Sequence, residues 1–139
     1  MNIVIIDGQG GQLGAQLIKE INAKFSDASF LKITAVGTNA AATSAMMKAG
    51  ARNAATGENP VIVASRTADV IIGPIGIVIA DSLLGEVTPK MALSVGQSAA
   101  VRILVPMNRC DNLVAGVPSL NTSALISDAI SKLDSIINA

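Results

Sequence analysis

A strand, a glycine turn and a helix open this chain. The apolar run Ile3-Val4-Ile5-Ile6 ends in Asp7, glycines follow at 8, 10, 11 and 14, and Leu13, Leu17, Ile18 and Ile21 then recur at helical spacing. This order is the unit from which nucleotide- and phosphate-binding α/β sheets are built. The run is continuous rather than alternating, as expected of a parallel strand covered on both faces. The turn also leaves backbone N–H groups unpaired at a helix N-terminus, where anions are favoured.

The same alternation continues along the chain. Leu31–Val36 reads as a second strand closed by Gly37-Thr38-Asn39, a helix over 41–49 stops at Gly50, and 51–54 forms a short third strand. Asn59-Pro60 fits an N-cap and first helical position. The β-branched run Val61-Ile62-Val63 suits a short helix or a strand, with the helix preferred. Asp69–Ile72 is a strand, and Gly73-Pro74-Ile75-Gly76 turns it into an apolar helix, Ile75–Leu84, ending near Gly85. Thr88-Pro89 starts another helix to about Ser98. Val101–Val105 is a strand, and 113–117 is suited to an antiparallel edge strand. Asn121-Thr122-Ser123 caps a last helix with Ile126, Ile130, Leu133 and Ile137 on one face. The expected fold is a single Rossmann-like α/β domain over residues 1–139, with a mostly parallel sheet and helices on both faces.

Composition narrows the function classes. Ten basic and ten acidic residues cancel, and only 14% of the chain is charged, so no basic stripe marks a nucleic-acid or lipid surface. Phe25 and Phe30 are the only aromatic residues, which leaves no platform for base stacking. The absence of histidine removes the His-based triads and most zinc sites, and no metal site is expected. The single cysteine, Cys110, cannot form an internal disulfide and fits a reducing cytoplasm. The apolar stretch from Val70 to Ala80 is too short to span a bilayer, and the N-terminus shows no targeting signal. A cytoplasmic protein is expected.

Ligands of parallel α/β sheets bind beyond the C-terminal strand ends. The residues expected there are Asp7, Gly8, Gln9, Gly10, Gly11, Thr38, Asn39, Gly73, Asn108 and Arg109. The glycines fit GxxGxxG rather than the dinucleotide GxGxxG, because Leu13 stands at the third position. The acid that ends the second strand of dinucleotide folds is also missing, so Thr38 or Asn39 would have to bond a ribose hydroxyl. The competing reading of the glycines is a tight turn with close helix–sheet packing. Arg109 suits bidentate phosphate or carboxylate binding, or a surface ion pair. Asp7 and Glu58 suit an acid–base pair, a magnesium–phosphate contact, or turn and helix N-terminal roles. Cys110, with no histidine as base, reads as a bystander thiol.

The phrases Ile6-Asp7-Gly8-Gln9-Gly10-Gly11, Gly37-Thr38-Asn39, Ala55-Thr56-Gly57-Glu58-Asn59, Gly73-Pro74-Ile75-Gly76-Ile77-Val78-Ile79-Ala80 and Pro106-Met107-Asn108-Arg109-Cys110 occur in this order. With them, nearly the whole chain resembles a bacterial family of small proteins described as a domain of unknown function. The resemblance implies a Rossmann-like domain standing alone and assigns no functional residue.

The leading functional expectation is a binding module for a nucleotide, NAD(P) included, or another phosphorylated small molecule, acting as a sensor or regulatory subunit. A small enzyme on a phosphorylated or carboxylated metabolite would use Asp7, Glu58, Arg109 and Cys110 at the same edge, with the catalytic residues unassigned. A structural protein would use the glycines as architecture only. A homodimer is expected through Ile75–Leu84, whose apolar residues cover more of a helix than one sheet can bury.

Overall fold

A computed structural model describes residues 1–107, 112–118 and 121–139. Five strands, β1 (Asn2–Asp7), β2 (Lys32–Gly37), β3 (Asn53–Thr56), β4 (Val70–Pro74) and β5 (Val101–Val105), form one sheet in the order β3-β2-β1-β4-β5. Every pairing is parallel. Among the described residues five α-helices accompany them: α1 (Gln12–Lys24), α2 (Ala40–Lys48), α3 (Glu58–Thr67), α4 (Pro89–Gln97) and α5 (Thr122–Ile137). None of the described helices is long and apolar enough to cross a membrane.

The continuous apolar runs are explained by the two faces of the sheet. Ile3 and Ile5 of β1, Ala35 of β2 and Val70 and Ile72 of β4 point into one core with Leu17, Ile18 and Ile21 of α1, Met46 of α2 and Ile130 and Leu133 of α5. Val4 and Ile6, Val36 and Ile71 point the other way, toward Val61 of α3 and Met91 and Val95 of α4. Side chains alternate across a strand, so a strand buried on both faces must be apolar at every position. Each fully buried Leu or Ile contributes about 1.5–3 kcal/mol.

Local signals set the helix starts. Asn39, Thr88 and Asn121 each accept a backbone N–H from their own first turn. The run Val61-Ile62-Val63 is helical, as preferred from the sequence, although the cap is Gly57 rather than Asn59. Pro60 falls in the first turn, where a missing N–H leaves no bond unmade. Burial of Val61 against the sheet overrides the β preference of the run.

Two expected elements are absent among the described residues. Residues 113–117 form no strand, and β5 ends the all-parallel sheet. A parallel sheet grows through crossover helices, and the described part of this segment holds only a turn at Ala115-Gly116.

The expected helix Ile75–Leu84 is also absent. A single 3₁₀ turn, Ile75–Val78, is followed by an irregular loop to Val87. The Gly76 carbonyl takes the Ile79 N–H in a 3₁₀ bond and the Ser82 hydroxyl, leaving no helical bond to residue 80. Gly76 and three successive β-branched residues weaken the helix further. The loop closes on itself through the Asp81 N–H to the Val87 carbonyl (2.8 Å) and the Val87 N–H to the Ser82 carbonyl (3.2 Å). It buries Leu83 and Val87 and leaves Leu84 94% exposed. The expected dimer helix therefore does not exist, and of the apolar residues that suggested it Ile77 and Leu83 are buried inside the protomer while Leu84 faces solvent.

Candidate functional site

The strand order reverses between β1 and β4, and the crevice at such a switch point is where parallel sheets bind ligands. Asp7 ends β1 in register with Gly37 at the end of β2. Asp7 is 5% exposed and accepts the Gly8 and Gly14 N–H groups, each at 2.8 Å. Thus part of the positive end of α1 is met by the protein's own carboxylate. Burial raises the Asp7 pKa and outweighs the Gly14 and Gly8 N–H bonds that lower it, with the Glu86 charge adding to the rise.

The glycines divide into two kinds. A Cβ on Gly11, at φ 73°, would lie 2.7 Å from the Ala42 backbone, and one on Gly14 would lie 3.0 Å from the Asp7 Cβ. Gly73 abuts the Ile6 carbonyl in the same way. These three positions are required by packing of α1, α2, β1 and β4. Gly10 differs, because nothing lies within 4 Å of its Cβ position. It is the open face of the turn.

The centre of the edge is an acid that sequence reasoning missed. Glu86 Oε1 accepts the Gln9 N–H at 2.9 Å, the Thr38 hydroxyl at 2.8 Å and the Asn39 side-chain N–H at 2.5 Å. Burial alone would raise the Glu86 pKa, but those three donors together lower it. Asn39 does double duty. Its Oδ1 caps α2 by accepting the Ala42 N–H at 2.8 Å, which turns Nδ2 toward Gln9 and Glu86. Leu83 reaches the same place: a Cβ on Gly8 would lie 2.9 Å from Leu83 Cδ1 and 3.2 Å from Glu86 Oε1. The only sequence signal for Glu86 was its place beside Gly85 after the fourth strand, and the assignment of 75–84 as a helix hid it.

Asp7, Gly8, Gln9, Gly11, Thr38 and Asn39 are thus brought together, with Gly10 at the margin. Glu58 is engaged otherwise: its carboxylate accepts the Thr88 hydroxyl at 2.6 Å, tying the start of α3 to the cap of α4 rather than pairing with Asp7. Asn108, Arg109 and Cys110 lie outside the described residues. Among the described residues no group of acids and cysteines is placed to hold a metal ion.

This architecture defines an α/β protein with an all-parallel five-stranded sheet, consistent with a single Rossmann-like domain, and with a polar cluster at its switch point. Residues 2–138 match the family described as Domain of unknown function (DUF3842), and the chain belongs to that family. No curated protein and no solved structure matches it.

Proposed function

We propose that this protein binds a nucleotide, NAD(P) included, or another phosphorylated small molecule at the C-terminal edge of its sheet, as a cytoplasmic sensor or regulatory subunit. One observation carries the reading: Gln9, Thr38 and Asn39 converge three hydrogen-bond donors on one carboxylate oxygen, in this structure that of the chain's own Glu86. Charge-assisted bonds of this kind are stronger than neutral ones. The donors come from the ends of β1 and β2, where a phosphorylated ligand of a parallel sheet is expected. Arg109, which follows β5 in sequence, is the proposed cation for the same ligand. Self-association as a homodimer remains part of the proposal, with no surface assigned, and is read by sedimentation.

The test is a thermal-shift panel of inorganic phosphate, nucleoside mono- and diphosphates, NAD and NADP. A ligand at a hundred times its Kd adds about 2.7 kcal/mol to stability. The shift should shrink in Thr38→Val, which removes one donor. A melting temperature unmoved by every member of the panel would refute the reading.

A further inference from the structure

The switch-point crevice is filled by the chain itself. Leu83 packs over Gly8, and Glu86 reaches across the turn to Gln9, Thr38 and Asn39. A phosphate oxygen at this place would need the same donors and would bring the same sign of charge. Two anions cannot share them. Among the described residues no lysine or arginine hydrogen-bonds to the cluster that could hold both.

We propose that the loop 79–87 is an internal plug, in which the Glu86 carboxylate occupies the anion cradle and a phosphorylated ligand binds by displacing it. This inference rests on the function proposed above and adds its regulation. The loop is built for such an exchange. Its inner side is anchored by Leu83 and Val87, both 1% exposed. Its outer side is free: Leu84 is 94% exposed, and nothing lies within 4 Å of a Cβ at Gly85. Glu86 itself is only partly buried, so its side chain can swing from the cradle to water while Leu83 and Val87 stay in place.

A tethered competitor lowers apparent affinity by the fraction of molecules in which the site is open. Removing it should tighten binding. The experiment is calorimetric titration of wild type, Glu86→Gln and Glu86→Ala with pyrophosphate and with each of the four ribonucleoside 5′-diphosphates. Roughly tenfold or more tighter binding is expected for Glu86→Ala. Glu86→Gln should fall between, because it keeps an acceptor oxygen without the charge. That variant also preserves the loop contacts, so the comparison holds if Glu86→Ala fails to fold. Hydrogen exchange supplies a second readout: the Gln9 amide should exchange faster in Glu86→Ala and slow again when pyrophosphate is added. Equal affinity across the three proteins overturns the plug and leaves the binding site standing. Weaker binding in the variants also overturns it, because Glu86 would then contact the ligand. No binding of these probes to any of the three proteins overturns the plug, and the wider thermal-shift panel then decides the binding reading separately.

Discussion

The side-chain amide of Asn39 lies 2.5 Å from the carboxylate of Glu86, across 47 residues of sequence. That bond joins the start of α2 to the loop before α4 and closes the switch-point crevice. It also makes Asn39 both a helix cap and a donor to an anion.

The two roles of Asn39 separate by substitution. Asn39→Ala removes the cap and the donor, and should cost about 1 kcal/mol or more in urea denaturation. Asn39→Asp keeps a capping oxygen but sets a carboxylate against Glu86. It should recover most of the cap while losing the thermal shift given by a phosphorylated ligand. Retention of that shift in Asn39→Asp would remove Asn39 from the site.

Gly10 and Gly11 are adjacent and should respond oppositely. Gly10→Val meets open space and should fold. Gly11→Val is strained at φ 73° and collides with the Ala42 backbone, so it should be severely destabilised. If the open face of the turn contacts ligand, folded Gly10→Val binds phosphate or nucleotide more weakly. Unchanged affinity would take this face out of the site.

Leu83 and Leu84 test the packing of the loop. Leu83→Ala empties a buried position and should cost about 2–5 kcal/mol. Leu84→Gly removes an exposed side chain and relieves a left-handed φ of 55°, and should stabilise by up to about 1 kcal/mol. Denaturant midpoints of the two variants on opposite sides of wild type are the expected result.

Asp7 and Glu86 should give stability profiles of opposite slope. The folded-state pKa of Asp7 is raised above its ordinary 3.8, so its contribution is fullest below that value and is lost as pH rises through the raised pKa. The folded-state pKa of Glu86 is lowered from 4.5, so its contribution is present above that value and is lost as pH falls through the folded pKa. Urea midpoints across roughly pH 3 to 8 should therefore show wild type losing ground to Asp7→Asn as pH rises, and to Glu86→Gln as pH falls. Parallel profiles for wild type and Asp7→Asn would show that Asp7 titrates normally.

Periodicity and caps made most of the framework legible. Ile3–Ile6 could be read as a doubly covered strand because both faces of β1 are buried, and Thr88-Pro89 marked the start of α4 because capping is local chemistry. The glycine turn was visible for the same reason, as a local need for close approach and positive φ. The fate of 75–84 was not legible, since its apolar count suits a helix and a buried loop equally. Only the sheet beneath it, and the Ser82 hydroxyl competing for the Gly76 carbonyl, choose the loop. Glu86 was hidden by the same step. Its partners Gln9, Thr38 and Asn39 are distant in sequence and meet it only when parallel strands align their C-terminal ends. The sequence by itself determined the strands, the capped helices and the glycine turn, because these follow from interactions between near neighbours. The tertiary structure alone decided which carboxylate fills the anion cradle, because that contact exists only after the sheet has assembled.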